Sequence, residues 1–145
     1  SLRATCARRR VGCVLVNNKS HILSTGYNGT ARGTSNCVYD SPCNGMKFAS
    51  GEGLNVCEAI HAEQNALLQC QDVYGIEKAY VTTEPCMTCT KLLLNTSCNE
   101  IIFIDSYPCK SKELWESAGR IWTQCNDDFV GDVHSHILTH MTKTR

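Results

Sequence analysis

Two cysteines follow a proline and a strand-like run in the segment Val-Thr-Thr-Glu-Pro-Cys-Met-Thr-Cys-Thr, residues 81–90. The spacing of Cys86 and Cys89 is typical of a redox pair, of half a structural zinc site, or of part of a catalytic metal centre. One predicted crossover earlier the chain carries His61 and Glu63, two positions apart. A redox pair does not need this second group, so the combination favours a metal centre.

The side chains of His61, Cys86 and Cys89 match the donor set of a catalytic zinc, which takes three protein ligands and keeps a fourth position for water. Cysteines in the first turn of a helix are favoured as thiolates by the partial positive charge there. Because two thiolates neutralise the charge of the zinc, its water needs a nearby base, and Glu63 is placed to be that base. Two other interpretations stay open: a structural zinc with Cys57 as fourth ligand, and a His61–Glu63 pair that only lies on a helix surface.

The composition predicts one globular domain over residues 1–145, since 42% of the residues are hydrophobic and 19% are charged. Fourteen Lys plus Arg balance fourteen Asp plus Glu, whereas a polynucleotide-binding domain usually has a basic excess. No apolar run approaches the roughly 20 residues that span a bilayer, and no secretory leader is visible. The eleven cysteines are therefore expected to be reduced thiols in the cytoplasm, many of them directed to metal.

Strands and helices are expected to alternate along most of the chain. β-Branched apolar runs at residues 11–16 and 21–25 predict a hairpin, and residues 30–57 form a long irregular insert. Alternating strands and helices predict parallel strands with helical crossovers. The structure of the polar tail, residues 131–145, is left open. Helices are predicted at residues 59–75, 86–96 and 111–118, the last ending at Gly119, and further strands at residues 78–83, 100–105 and 120–123.

Four segments form a pattern along the chain: Cys6-x-Arg8 ahead of Val11-Gly12, Gly26-Tyr27-Asn28-Gly29, His61-Ala62-Glu63-x-Asn65-Ala66 and Pro85-Cys86-x-x-Cys89. His-x-Glu followed by Pro-Cys-x-x-Cys is the signature of zinc-dependent nucleobase deaminases. Over residues 2–122 the chain resembles the cytidine deaminase superfamily, and within it the deoxycytidylate (dCMP) deaminases of bacteria and phages. The resemblance implies an α/β fold of three layers, α-β-α, with a mixed sheet of about five strands flanked by helices. It also implies hydrolysis of dCMP to dUMP and ammonia, which supplies dUMP for thymidylate synthesis.

The resemblance assigns catalytic roles to four residues. His61, Cys86 and Cys89 would bind the catalytic zinc. Glu63 would carry protons to N3 of the cytosine and then to the leaving amine, while water activated at the zinc attacks C4.

Three further positions are expected to contact the substrate. In the family pattern Asn28 would contact the deoxyribose, and Tyr107 would pack against the base, as suits an amide and an aromatic ring. Arg8 is the first choice for the phosphate, from its place in the Cys-x-Arg pattern, with Arg9 and Arg10 as alternatives. Structural roles stay open as alternatives. Asn28 could be a turn residue, Tyr107 a core aromatic, and the arginine run a solvated charged surface.

The resemblance gives the remaining cysteines a candidate role. In bacterial and phage members a second, structural zinc holds the insert. The matching positions are Cys6 and Cys37, and Cys43 and Cys57, nearby in sequence, are the other two candidate ligands. Four thiolates form a closed tetrahedral site. Buried thiols without a metal are the alternative.

The family members are often regulated homo-oligomers. The resemblance implies activation by dCTP and inhibition by dTTP with a divalent ion such as Mg²⁺. It also implies a homo-oligomer, the homo-hexamer of the family. The segment implicated in this regulation comprises Gly26, Tyr27, Asn28 and Gly29.

Three alternatives remain at this point. A tRNA adenosine deaminase has the same zinc residues but should carry a basic surface. A free cytidine or deoxycytidine deaminase does not need the arginine run or the insert. A non-catalytic, zinc-stabilised binding module does not need Glu63.

Overall fold

The computed structural model describes residues 2–37, 41–49 and 51–125. The predicted polar tail, residues 131–145, lies outside the described residues, so the single-domain organisation over residues 1–145 stays a prediction. Across the described part of the chain, no helix has the length and apolar character needed to cross a bilayer.

The predicted N-terminal hairpin is confirmed as strands β1 (Gly12–Val16) and β2 (Ile22–Tyr27), which pair antiparallel. Its polar turn closes through the amide of Ser20, which donates to the carbonyl of Asn17 at 2.9 Å. The Asn17 side chain accepts two further turn amides, from Lys19 and His21. An asparagine that satisfies turn amides in this way explains why the polar run breaks the strand.

The main sheet has five strands. Besides β1 and β2 it contains β5 (Lys78–Thr83), β6 (Glu100–Asp105) and β7 (Ile121–Gln124). Their order is β2-β1-β5-β6-β7. Strand β1 pairs antiparallel with β5, β5 pairs parallel with β6, and β6 pairs parallel with β7. This confirms the predicted mixed sheet, because the helical crossovers between the last three strands make them parallel.

The helices are α1 (Ala62–Gln69), α2 (Met87–Leu94) and α3 (Ser111–Ser117). Each contributes to the buried core against one face of the sheet, where Val81 lies opposite both Cys13 and Phe103. The helical side of this core consists of Ala62 and Ala66 from α1, Leu93 from α2 and Trp115 from α3.

The predicted helix over residues 59–75 is too long at both ends. Ala59–Ile60 instead form a short strand, β4, which pairs antiparallel with β3 (Gly29–Thr30). The helix ends at Gln69 because the following residues include Asp72, β-branched Val73 and Gly75, which favour turns or strands over helix. This shortening places His61 at the boundary between strand β4 and helix α1.

The other two helices agree with their predicted bounds to within two residues. Gly119 follows α3 with a φ of +73°, the left-handed conformation that glycine adopts at low cost. Its amide donates to the carbonyl of Glu116 at 2.9 Å, which confirms Gly119 as the residue that ends this helix.

The insert between β3 and β4 carries little regular structure. Among its described residues a single 3-10 turn, Asn44–Lys47, is present. This agrees with the prediction of a long irregular stretch. The side chain of Arg8 contacts this stretch and donates to the carbonyls of Gly45 and Ala49.

Arg120 closes the C-terminal end of α2, where helix carbonyls have no partner within the helix. Its guanidinium also lies over the ring of Trp115, 5.1 Å from the centroid. The carbonyls that accept its N–H donors are those of Leu93, Leu94, Thr96 and Cys98, at 2.8 to 3.3 Å.

We expect Arg120→Met to lower the free energy of unfolding by about 2 kcal/mol, since several carbonyls lose a charged donor at once. Urea denaturation monitored by circular dichroism measures the change. The control Lys112→Met removes an exposed lysine whose ion pair with Glu116 spans 3.8 Å, and such pairs contribute under about 1 kcal/mol. Equal losses in the two variants would show that Arg120 does not stabilise the helix end.

Candidate active site

His61 begins α1 as its N-cap residue. Its backbone amide donates to the side-chain oxygen of Gln64 at 2.8 Å, an arrangement that secures the first turn of a helix. The backbone of His61 is extended, with φ −73° and ψ 157°, as expected at the end of β4. The imidazole is thereby fixed at the junction of a strand and a helix.

Cys86 and Cys89 lie at the start of α2. Cys86 is the N-cap residue of this helix, and Cys89 is the third residue within it. Both thiols are buried, with 5% and 0% of their surface exposed. Pro85 cannot continue the ladder of β5, so it separates the strand from the helix. The two sulfurs consequently face the same point as His61.

The three side chains form a group that fits a tetrahedral metal ion. The Nδ1 atom of His61 lies 3.4 Å from the sulfur of Cys86 and 3.4 Å from that of Cys89. Tetrahedral zinc–sulfur and zinc–nitrogen bonds predict an edge of about 3.6 Å between such donors. Among the described residues, no fourth His, Cys, Asp or Glu atom completes this group. That excludes Cys57 as a fourth ligand in this conformation and favours a site with an open position.

The two thiols share a hydrogen bond that shifts their pKa values in opposite directions. Hydrogen bonds from the thiol of Cys89 and from His61 lower the pKa of Cys86 to about 4. The hydrogen bond to Cys86, together with burial, raises the pKa of Cys89. The hydrogen bond to Cys86 likewise raises the pKa of His61. The sulfur of Cys86 is thus the favoured anion of this group, because its two neighbours donate to it.

Glu63 lies one residue into α1 and is 3% exposed. Burial raises the pKa of its carboxyl above the ordinary range. Its carboxylate also accepts a hydrogen bond from the thiol of Cys89. A buried carboxyl with a raised pKa, next to these three donors, is suited to take up and release protons.

A pocket opens beside these residues, and it contains most of the predicted site. His61, Glu63 and Cys86 lie in its wall, with Asn28, Arg8 and Tyr107. Cys6 and Cys57 line it too, whereas Cys37 and Cys43 do not. The complete lining comprises Cys6, Arg8, Arg9, Val11, Asn28, Leu54, Cys57, Ala59, His61, Ala62, Glu63, Thr83, Glu84, Cys86 and Tyr107.

Asn28 is buried, and its side chain bonds to the backbone of the segment before β1. Its Oδ1 accepts the amide of Val11 at 2.8 Å, and its Nδ2 donates to the carbonyl of Arg9 at 2.8 Å. The backbone N–H of Asn28 donates to the carbonyl of Val11. Asn28 therefore fixes the course of the arginine run along the pocket.

The regulatory segment predicted at residues 26–29 packs directly against α1. A Cβ at Gly26 would lie 2.1 Å from the carbonyl oxygen of Ala62, so only glycine permits this approach. The side chain of Asn65 donates to the carbonyl of Tyr27 at 2.8 Å. The strand and the helix that carries Glu63 are thus in contact through both backbone and side chains.

The four cysteines predicted for a second metal are neighbours in space. The amide of Cys43 lies 3.4 Å from the sulfur of Cys37. Hydrogen bonds from the backbone of Glu58 lower the pKa of Cys43, with smaller contributions from Cys37 and Cys57. Cys6 is close enough to Cys57 to raise its pKa, although burial is the larger cause. No three of these sulfurs lie within 4.8 Å of one another in the described part of the chain.

Sequence reasoning assigned no role to six residues of the pocket wall, which include Leu54, Thr83 and Glu84. The carboxylate of Glu84 accepts the amide of Tyr107 at 2.8 Å, and its place at the end of β5 was the available signal. Leu54 comes from the insert, where no periodic pattern marks it. Thr83, 5% exposed, is the last residue of β5.

The chain matches a known protein family. The family model for the cytidine and deoxycytidylate deaminase zinc-binding region matches residues 1–105. The deoxycytidylate deaminase of Saccharomyces cerevisiae is 37% identical over 107 residues, which cover 72% of this chain and 34% of the yeast protein. The deoxycytidylate deaminase of Mycobacterium phage D29 is 35% identical over 112 residues, 70% of this chain and 82% of the phage protein. The matched parts are only 34% and 38% of the length of the S. cerevisiae and Schizosaccharomyces pombe relatives.

The fold has a solved counterpart. The crystal structure of dCMP deaminase from the cyanophage S-TIM5, in complex with dCMP and dUMP, superposes with a TM-score of 0.65 and 25% identity. The superposition covers 83% of this chain and 84% of the cyanophage chain. Since the family match includes the His-Cys-Cys donor group and Glu63, the chain belongs to the cytidine and deoxycytidylate deaminase family.

Proposed function

We propose that this protein hydrolyses dCMP to dUMP and ammonia. The observation that carries the proposal is the buried carboxyl of Glu63 next to the His61, Cys86 and Cys89 donors, in a pocket lined by two arginines. The names of the yeast and phage D29 relatives, and the nucleotides bound in the cyanophage enzyme, support dCMP as substrate. With all eleven cysteines unpaired, we place the reaction in the cytoplasm.

His61, Cys86 and Cys89 would hold a zinc ion, which supplies the activation of water for attack on C4 of the cytosine. Glu63 takes the two protons of the attacking water in turn, and it delivers the first to N3 of the base and the second to the departing amino group. Water provides the oxygen of dUMP and the nitrogen leaves as ammonia, so the atoms balance. Burial of Glu63 keeps bulk water away from the carboxyl and lets one group serve as both acid and base.

The direct test is ammonia release from dCMP, deoxycytidine and dCTP in parallel, by zinc-loaded protein. We expect dCMP to react fastest, because its phosphate meets the arginines of the pocket. Zinc-loaded, folded protein that releases ammonia from none of the three would contradict the proposal. A preference for deoxycytidine would assign the protein to nucleoside deamination instead.

We further propose a second, structural zinc on Cys6, Cys37, Cys43 and Cys57. The contacts that link Cys37 to Cys43, and Cys43 to Cys57, support it. Binding requires the four sulfurs to move together, which is typical of metal sites that order a loop.

We expect Cys43→Ser to lower the zinc content from two ions per chain to one, because a thiolate ligand is lost. Elemental analysis of dialysed protein measures this. Cys125→Ser, at a partly buried thiol outside both groups, should retain both ions. One zinc per chain in the unmutated protein would remove the second site.

Regulation by dCTP and dTTP, with Mg²⁺ accompanying the triphosphate, is proposed to act through residues 26–29. The close packing of Gly26 on α1 and the hydrogen bond from Asn65 support this, since movement of the segment would displace Glu63.

We also propose that the protein is a homo-oligomer, a hexamer as in the family it resembles. Its subunits would meet through the apolar surface of α1 and α2. Leu68 and Leu92 on that surface are 78% and 43% exposed, and such exposed patches mark interfaces.

A further inference from the structure

The pocket contains a second carboxyl besides that of Glu63. Glu84 follows the last residue of β5 and is half-buried. It lies in the pocket wall together with His61 and Cys86. An acidic side chain in this place can either move a proton or hold part of the wall, and its hydrogen-bond partners distinguish the two roles.

Both the backbone and the side chain of Glu84 bond to the segment that follows β6. Its backbone N–H donates to the carbonyl of Asp105 at 2.8 Å. Its carboxylate accepts the backbone N–H of Tyr107 at 2.8 Å. Thr83 and Asp105 are the last paired residues of β5 and β6. Glu84 therefore extends the contact between these strands beyond their last pair, as far as Tyr107.

Pro85 explains why a side chain is needed for this contact. Cys86, the N-cap of α2, follows it directly, so the backbone of β5 leaves the sheet at the proline. The carboxylate of Glu84 supplies an acceptor where no further strand carbonyl follows. The carbonyl of Pro85 itself accepts the thiol of Cys109 at 3.4 Å. Residues 105–109 are thus tied at three points to the connection between β5 and α2.

Tyr107 carries the effect of this contact into the pocket. Its side chain lies in the pocket wall, and the guanidinium carbon of Arg9, another wall residue, is 5.3 Å from the centroid of its ring. Displacement of Tyr107 would therefore change two of the side chains that form this wall. Because Cys86 is only two positions after Glu84, the same contact sets the wall relative to the metal-binding group.

We propose that Glu84 is a positioning residue, whose carboxylate holds Tyr107 in place beside the metal-binding group and does not carry protons in the reaction. The proposal rests on the proposed deamination of dCMP, which gives the pocket its substrate. It assigns different roles to the two carboxyls of the pocket. Glu63 moves protons, whereas Glu84 keeps the wall in the shape that the nucleotide meets.

The first test needs no nucleotide. Hydrogen exchange measured by NMR reports how well the backbone N–H of Tyr107 is protected. In Glu84→Ala this N–H should exchange roughly 10- to 100-fold faster, the value of one hydrogen bond to a charged group. Glu84→Gln should exchange more slowly than Glu84→Ala, because an amide oxygen still accepts the bond. Equal exchange in Glu84→Ala and the unmutated protein would overturn the proposal.

Asp105→Asn is the matched control for the lost negative charge. Asp105 ends β6, and its side chain is exposed and lies outside the pocket lining. Its substitution should leave the exchange of the Tyr107 N–H and the binding of dUMP as they are in the unmutated protein. If Asp105→Asn reproduced the effects of Glu84→Ala, charge rather than the hydrogen bond would be their cause, and the positioning role would be wrong.

The second test asks whether Glu84 acts through Tyr107. Calorimetry should show that Glu84→Ala weakens the binding of dUMP by roughly 10-fold. In a protein that already carries Tyr107→Ala, the same substitution should weaken dUMP no further, because the side chain that Glu84 positions is absent. Fully additive losses in the double variant would overturn the proposal, since an independent or general structural role gives that result.

Turnover of dCMP separates positioning from proton transfer. Glu84→Gln should keep kcat within roughly threefold of the unmutated value, because its amide oxygen still holds Tyr107. A loss of kcat as large as that in Glu63→Gln would show that Glu84 moves protons and would overturn the inference. Unmutated protein that shows the expected exchange and coupled binding but deaminates nothing would disprove the proposed function and keep the inference.

Discussion

Glu63→Gln is expected to reduce the turnover of dCMP by roughly 10³- to 10⁴-fold while the protein keeps its fold and its zinc. Glutamine has nearly the same shape, so the buried position on α1 stays filled. It cannot, however, accept and release a proton as a carboxyl does. The loss should appear in kcat rather than in the affinity for dUMP, because the proton moves only during the reaction.

The measurement combines single-turnover kinetics with metal analysis of the same preparation. Glu58→Gln is the matched control, since Glu58 precedes the same helix but is exposed and lies outside the pocket. Its activity should equal that of the unmutated protein. If Glu63→Gln retained more than a tenth of its activity, another group would have to move the protons.

Gly26→Ala is expected to have the largest effect on the fold. The added methyl group would lie 2.1 Å from the carbonyl oxygen of Ala62 and 2.4 Å from the amide nitrogen of Ala66. Both are backbone atoms, so relief requires α1 to move away from β2. Forced overpacking of this kind costs about 3 kcal/mol. A displacement of about 1 Å at a catalytic group lowers rates by roughly 100-fold, and α1 carries Glu63 and begins at His61.

Thermal unfolding and dCMP turnover should therefore both decline in Gly26→Ala. Thr25→Ala provides the comparison, because Thr25 is the preceding residue of β2 and its side chain is exposed. That substitution should change stability by no more than about 0.5 kcal/mol. If Gly26→Ala were as stable and active as Thr25→Ala, the contact between β2 and α1 would not position the catalytic helix.

Local patterns along the chain predicted the five strands of the main sheet and the three helices, but not the short strands β3 and β4. Strands β5 and β6 have the bounds that their β-branched runs predict, and Gly119 ends α3 as expected. The start of α1 was misplaced because Ala59 and Ile60 suit helix and strand equally. Their pairing with Gly29–Thr30 is a contact across about 30 residues of sequence, and no local pattern reports it.

The sequence by itself determined the metal-binding group. His61 and Glu63 at one strand-to-helix junction, and Cys86 and Cys89 at the next, are residue types that a zinc site uses. The spacing has few other uses, so the His-Cys-Cys group and the carboxyl beside it could be predicted without a structure.

Only the tertiary structure decided what the side chains of the pocket wall contact. Arg8 and Arg9 are adjacent in sequence, yet one donates to carbonyls of the insert and the other lies over the ring of Tyr107. Asn28 lies in the pocket wall and also bonds to the backbone of Arg9 and Val11, so its contact with a sugar stays a prediction. These partners are 17 to 98 positions apart, and their contacts depend on how the insert and strand ends pack, which short-range patterns do not encode.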